Sequence, residues 1–455
     1  MVQNNKKQTP QWSSKLAFTL AAIGSSVGLG NLWRFSAEAG ENGGGAFILI
    51  YLFCVLLIGI PTILGEFIIG RAGKATSAIN SFDDLTKRTA SKRAWRFGAW
   101  VGTLSGFLIV SFYCVVAAWV LVYIFRFLSG AFDGQNAIEI ATQFDQLIIS
   151  PTDLLLPFFI FGGLVIWLVA RGINRGLEMA SKILMPTFFV LLVALSVFSL
   201  YSAWASGGTS QALEFMFSPD FSKITPKIAV KALGQAFFSL GLGMAIMITY
   251  GSYLPHSISL PRSAVIIGLA DTAVALIAGL AIFPIVFQYG LNFEAGAGLF
   301  FQTLPIALIA TPGGNIVGAA FFCMAFFAAL TTAVSLLEPA VSHFTEKFLL
   351  SREKAAIYVG LLMLALGLVS LNSLRFMDFL DSGVTAPILL PLSSLLVVMF
   401  VGWRLDNSIL DRELGYSKKM WIKILVIFLK YIAPFSIIVI LLASVMERYF
   451  PNLLF

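Results

Sequence analysis

The sequence predicts an all-α polytopic membrane protein: eleven transmembrane helices, arranged as a 5+5 inverted repeat with helices 1 and 6 broken, plus one accessory helix. Three observations predict it. Of 455 residues, 58% are hydrophobic and 12% charged, about half the charged share of a soluble domain, and the mean hydropathy is +0.89. Apolar runs long enough to cross a bilayer recur eleven times. Two of them are interrupted by glycine-rich stretches, Gly24-Ser25-Ser26-Val27-Gly28-Leu29-Gly30-Asn31 and Ser239-Leu240-Gly241-Leu242-Gly243-Met244, in corresponding places. Glycine weakens a helix at a depth where lipid offers freed backbone groups no partner. Such breaks therefore line cavities whose ligands become the partners, and a pair of them marks a solute site near the bilayer midplane.

The elements follow in order. Residues 1–13 form a polar N-terminal tail without a cleavable signal pattern. The predicted spans are 14–38, 44–69, 97–128, 152–170 and 178–203, which make the first repeat. An external loop covers 204–227. The second repeat, 228–403, holds spans 228–255, 261–290, 314–346, 355–371 and 384–403. Residues 404–455 hold an internal loop, the eleventh span (422–447) and a short external tail. Several spans exceed the ~20 residues a bilayer requires, so tilt or extension beyond it is expected. The connections Ser129–Pro151, Ser206–Pro226 and Leu291–Pro312 are longer and turn-rich, and the last, with Gly296, Gly298 and an apolar run, reads as a re-entrant or capping hairpin.

Charge sets the orientation. Counting Lys and Arg loop by loop puts 22 of 30 on the side of the N-terminus, which the positive-inside rule makes cytoplasmic. An odd span count then puts the C-terminus outside, in the plasma membrane of the cell. The net charge of +7 is thus topological rather than a nucleic-acid-binding face. Cys54, Cys114 and Cys323 all lie in apolar runs, so neither a disulfide framework nor a CxxC metal site is expected. With only His256 and His343, no histidine metal site is expected. No nucleophile–base pair, HExxH or phosphate loop appears, so the chain does not read as an enzyme.

Asp271 is the sharpest single residue, because a carboxylate within a span is costly and functional by default. Glu66, in span 2, reads as structural, binding backbone freed at a helix break. Proton carriage by either acid stays open as an alternative.

The runs Ser25-Ser26-Val27-Gly28-Leu29-Gly30-Asn31-Leu32-Trp33-Arg34-Phe35 through Glu66, Gly234–Tyr253, and Ala329–Pro339 resemble helices 1–2, 6 and 8 of the neurotransmitter:sodium symporter family. The eleven-span length is similar to that of its bacterial amino-acid transporters. The resemblance implies a sodium-coupled symporter that imports its solute by alternating access. It implies a first sodium site at the Ser26 carbonyl, Asn31, Ser239 and Asp271, completed by the substrate carboxylate, and a second at the carbonyls of Gly24, Val27 and Ala328 with the hydroxyls of Thr331 and Thr332. The implied substrate site is Ser26, Gly28, Leu29, Gly30, Ile109, Tyr113, Phe238, Ser239, Gly241, Met244, Thr332 and Leu336. Gly28 stands where monoamine carriers place an aspartate, which leaves room for a substrate carboxylate held by the Leu29 and Gly30 amides and the Tyr113 hydroxyl. No unpaired charge joins this set, so a neutral, hydrophobic L-amino acid is expected. Gly241, in place of a serine of some relatives, would open space for a bulkier one.

Gates are implied as well: Arg34 with Asp381 outside, Asp378 competing, and Trp12, Tyr253 and Glu346 inside. Thr9 occupies the position of the family's inner-gate arginine, with Lys6 or Lys7 as substitutes. Gly176 and Pro186 resemble an element that unwinds to admit water to the second sodium site; the plainer reading is a helix start followed by an ordinary transmembrane proline. Tyr51, Gln235 and Ser239 match the family's chloride ligands, yet Asp271 supplies a fixed negative charge and the serine position four residues on is Ala275. Like charges would meet there, so transport without chloride is expected. The expected partners are a small amino acid, sodium and the bilayer, with no nucleic acid. A solute-gated channel or transport-deficient receptor on the same scaffold is the alternative from another class.

Overall fold

A computed structural model describes residues 11–291, 297–415 and 419–450. Thr9, Lys6, Lys7 and Gly296 lie outside them. Every regular element among the described residues is helical. Among the described residues nine helices are long and apolar enough to cross a membrane, and a bent pair, α1 (Lys15–Ser26) and α2 (Gly30–Glu41), makes up to ten. In chain order the others are α3 (Gly45–Ala72), α4 (Ala78–Arg88), α5 (Arg93–Leu128), α6 (Ala137–Ile148), α7 (Pro151–Ala170), α8 (Ile173–Ser202) and α9 (Gly208–Phe217). Then come α10 (Pro226–Ser239), α11 (Ile246–Ser252), α12 (Leu260–Gln288), α13 (Leu299–Ile309) and α14 (Gly314–Lys347). The chain closes with α15 (Arg352–Asn372), α16 (Leu374–Trp403), α17 (Asn407–Leu414) and α18 (Met420–Tyr449). The predicted sixth span is the segment divided between α10 and α11, each too short to cross alone.

Both breaks have local causes. Ser14 caps α1 by accepting from the Ala17 amide at 3.1 Å. At the other end Val27 turns extended (ψ 104°), and α2 resumes with a 53° bend. Between α10 and α11 the backbone turns left-handed at Gly241 (φ 64°), Gly243 (φ 74°) and Ala245 (φ 59°), a conformation that ends an α-helix. Gly243 has a second reason to be glycine: a Cβ would stand 2.3 Å from the Leu390 carbonyl oxygen.

The breaks face a scaffold. The long helices α5 and α14 pack along one another, and α15, α7 and α16 gather around α5. α1 lies against α8 and α14, and α11 against α3. α13 carries buried Leu299, Phe300 and Phe301, whose rings meet Trp33 of α2 at 6.4 and 6.2 Å. The expected hairpin therefore contains a short helix packed over the outer half of the first broken span.

Candidate solute and ion site

Asp271, on α12, is fully buried and receives three side-chain donors. Asn31 Nδ2 reaches Oδ1 at 2.8 Å; Ser239 Oγ and Tyr51 OH reach Oδ2 at 2.7 and 3.2 Å. Asn31 Nδ2 also lies 2.8 Å from Ser239 Oγ, and Asn31 Oδ1 accepts from the Gly28 amide at 3.1 Å. One residue from each break and one from the flanking helix α3 thus converge on one carboxylate, and no Lys or Arg pairs with it among the described residues. Ser26 is buried nearby on the chain, its Oγ donating to the Leu240 carbonyl at 3.4 Å. Gln235 donates to the Gly30 carbonyl at 3.1 Å, while its Oε1 has no partner. Carboxylate, hydroxyl and carboxamide oxygens are brought together here, the ligand set a hard cation takes.

A second convergence lies one turn along α1. Thr332 Oγ1 lies 3.3 Å from the Gly24 carbonyl oxygen and 3.2 Å from that of Val27. Thr331 Oγ1 donates to the Phe327 and Ala328 carbonyls at 3.1 and 3.0 Å. α8 closes this side, with Met185 Sδ 3.9 Å from Thr331 Oγ1. The carbonyls at the C-terminal end of α1 have lost their helical partners to the break, so their negative ends are available here.

Between the two lies a cavity bounded by Ser26, Gly28, Leu29, Gly30, Ile109, Tyr113, Phe238, Ser239, Gly241, Met244, Thr332 and Leu336, all twelve of the residues expected there, with Ser25 in addition. The Leu29 amide donates to Tyr113 OH at 3.3 Å. The cavity is small, about 30 Å³, enough for a water rather than an amino acid. Gly28 is tightly enclosed: a Cβ there would meet Thr332 Oγ1 at 2.8 Å and Tyr113 OH at 3.3 Å. These two hydroxyls flank the space beside Gly28, where a larger side chain would stand. Gly241 differs from the expectation in kind. Its left-handed backbone (φ 64°) makes it a conformational glycine, whereas a Cβ would find only ordinary contacts, at 3.8 Å and beyond.

Glu66 Oε1 accepts from the Gly243 amide at 2.9 Å, so this acid ties α3 to the second break, and its Oε2 has no partner. Gly176 sits in the opening turn of α8 and Pro186 within the helix. A Cβ on Gly176 would lie 1.9 Å from the Leu168 carbonyl oxygen, so close packing on α7 requires glycine.

On the outer side Arg34 stacks over the Phe238 ring at 4.4 Å. No hydrogen bond or ion pair joins it to Asp381, whose Oδ1 is buried without a partner. Asp378 binds Arg448 at 2.6 Å instead. On the inner side Trp12 is buried, donating its indole N–H to the Tyr250 carbonyl at 3.3 Å and its amide to the Tyr253 carbonyl at 3.4 Å. Glu346 accepts from the Ser77 amide at 3.0 Å, at the start of α4. The structure therefore brings Trp12 and Tyr253 together and sets Glu346 against a different loop.

Three residues of this inner face were missed. Tyr253 OH donates to Glu338 at 3.1 Å, and Glu338 takes a two-pronged ion pair from Arg352. Glu178, at the start of α8, binds the Ser13 amide and hydroxyl, Asn174 and Lys182. Glu338 has a readable signal, an acid within a span, and the rule applied to Asp271 and Glu66 would have found it.

Two discontinuous helices meet at a small, mostly apolar cavity and pack against a bundle of continuous ones, the architecture of membrane carriers whose solute sites lie at helix breaks. The chain belongs to the sodium:neurotransmitter symporter family, whose model matches residues 9–146 and 132–453. It is 35% identical over 452 residues to an uncharacterized sodium-dependent transporter, YhdH, of Bacillus subtilis (strain 168), covering 96% of this chain and 98% of that one. It is 34% identical to an uncharacterized sodium-dependent transporter of Haemophilus influenzae, covering 97% and 99%. Among solved structures it is similar to MhsT in complex with L-phenylalanine, at a TM-score of 0.87 and 41% identity over 96% of this chain and 99% of that one. The family is one of sodium-dependent transporters, so the protein is a membrane transporter rather than a catalyst.

Proposed function

We propose that this protein is a symporter that uses the sodium gradient to import neutral, hydrophobic L-amino acids by alternating access, without chloride. The observation that carries the reading is Asp271: a buried carboxylate at both helix breaks, bound by Asn31, Ser239 and Tyr51 and offset by no cationic side chain among the described residues. Such a charge is stable in a membrane when a cation neutralises it. Sodium is the cation supported by family membership. Ser26, Asn31, Ser239 and Asp271 form one candidate sodium site; Gly24, Val27, Ala328, Thr331 and Thr332 form the other. The α-carboxylate of the solute would lie at the Leu29 and Gly30 amides and Tyr113, adjoining the first site, so each ligand raises the affinity for the other. Ile109, Phe238, Met244 and Leu336 suit an apolar side chain, and MhsT was crystallised with L-phenylalanine. The fixed charge of Asp271 beside Tyr51, Gln235 and Ser239 takes the place a chloride would fill.

The test is uptake by proteoliposomes holding the purified protein, with labelled phenylalanine, leucine and other neutral amino acids. Accumulation under an inward sodium gradient, unchanged when gluconate replaces chloride, is expected. Equal uptake in potassium would overturn sodium coupling, and uptake driven by a proton gradient alone would transfer the role to Asp271 or Glu66 as proton carriers. Loss of uptake in gluconate would overturn the chloride assignment only.

A further inference from the structure

A cleft of about 600 Å³ opens on the inner face, far from the solute site. It lies between the α4–α5 loop and the end of α16. Its polar lining is Ser91, Lys92, Thr89 and Arg404, and its walls are the indoles of Trp95 and Trp403 with Leu396 behind them. α5 begins here and α16 ends here, so the cleft lies where two spans leave the membrane.

Charge distinguishes it from its surroundings. Nearby cations are already engaged: Asp83 takes Arg93 at 2.7 Å, Lys87 at 3.0 Å and Arg96 at 3.7 Å, and Asp84 takes Arg88 at 3.0 Å. Lys92 and Arg404 are exposed, and among the described residues neither has an ion-pair partner. No Asp or Glu lines the cleft. Two uncompensated cations facing one concavity call for an anion. Trp403 is 53% exposed yet fixed, because its indole N–H donates to the Lys430 carbonyl at 2.9 Å. Phe97 and Trp100, on the first turns of α5, are exposed as well. Tryptophans at span ends sit at headgroup depth, and basic pockets between helices at that depth bind anionic headgroups.

We propose that this cleft is a binding site for the phosphate headgroup of an anionic phospholipid, held by Lys92 and Arg404 with its glycerol and upper acyl region against Trp95 and Trp403. The lipid would join the α4–α5 loop to the end of α16. The site rests on the transmembrane placement of the chain and not on which solute it carries.

The test is native mass spectrometry of the full-length protein released from detergent with short-chain phosphatidylglycerol, phosphatidylcholine or inorganic phosphate. Phosphatidylglycerol is expected to be retained by the wild type. Retention should fall at least fivefold in the Lys92→Gln, Arg404→Gln double variant and stay unchanged in Lys354→Gln, a control cation on the same face. Trp403→Leu should weaken retention of phosphatidylglycerol without touching the cations, which keeps the test decisive if the double variant folds poorly. Equal retention by wild type and double variant overturns the site. Retention of phosphatidylcholine to the same degree overturns the charge basis. Displacement of phosphatidylglycerol by millimolar inorganic phosphate overturns the lipid and leaves a free anion as the ligand.

Discussion

At the scale of single residues, Asp271 and Gly28 carry the most testable chemistry. Asp271→Asn removes the only formal charge in the cluster of Tyr51, Ser239 and Asn31 while keeping its shape. The same donors would then face a neutral amide and could hold a mobile anion in its place. Uptake by this variant is expected to become chloride-dependent, at least tenfold lower in gluconate than in chloride; equal uptake in both would separate Asp271 from the chloride question. Gly28→Ala places a methyl 2.8 Å from Thr332 Oγ1. A helical threonine divides between two χ1 rotamers, so relieving the contact by rotation gives up the Thr332 bonds to the Gly24 and Val27 carbonyls. Solute affinity is expected to fall about tenfold, or ~1.4 kcal/mol, read as a smaller sodium-dependent thermal shift. These residues also show what a sequence conceals. Asp271 was legible because an intramembrane carboxylate is costly whatever surrounds it. Gly28 was legible as an absent side chain, but which neighbours fill that absence depends on α5 and α14, more than eighty residues away in the chain. Glu178 was hidden for a related reason. At a span end it looks like an ordinary solvated acid, and only the fold delivers Ser13 to it.

At the scale of elements, the α10–α11 break separates two kinds of glycine. Gly241 and Gly243 share a left-handed backbone (φ 64° and 74°), which costs an L-residue roughly 1–2 kcal/mol. Only Gly243 also collides with backbone, with Leu390 O 2.3 Å from its would-be Cβ. Gly241→Ala is expected to fold with a modestly lower melting temperature. Gly243→Ala should lose far more, and should also weaken the bond from its amide to Glu66. Equal melting temperatures for the two variants would mean that the close approach to α16 is unimportant. The break itself was legible from glycine spacing; its depth in the packing was not, because α16 is distant in sequence. The α8 end offers a second test. Glu178 holds the N-terminal segment through Ser13 and is neutralised by Lys182 at 2.6 Å. Glu178→Ala should free that segment, seen as faster hydrogen exchange over residues 11–20, whereas Lys182→Ala should change it little. Unaltered exchange in Glu178→Ala would show that Trp12, buried against Tyr250, and the bond from Asn174 to the Gln11 carbonyl suffice to hold the segment.

At the scale of the whole molecule, charge predicts which face of the carrier meets the cytoplasm. Ion pairs Arg71–Glu413, Arg93–Asp83, Lys182–Glu178 and Arg352–Glu338 lie at span ends on the lysine- and arginine-rich side. Lys231–Glu447 and Arg448–Asp378 lie at the opposite ends. The positive-inside rule predicts that the first side is cytoplasmic, which would put Trp12 and Tyr253 at the inner face and Arg34 at the outer one. Two exposed positions report the two sides: Ile138 on α6, 78% exposed, and Leu349 between α14 and α15, 90% exposed. In intact cells an impermeant maleimide should label Ile138→Cys and spare Leu349→Cys, with Leu349→Cys labelled only after permeabilisation. The native cysteines interfere little, since Cys54 and Cys114 are buried and Cys323 is partly so. The reverse labelling pattern would place the N-terminus outside. The broken helices and the candidate ion sites would survive that result, and so would the direction of sodium-driven symport, which the gradient sets; the gates assigned to the two faces would be exchanged.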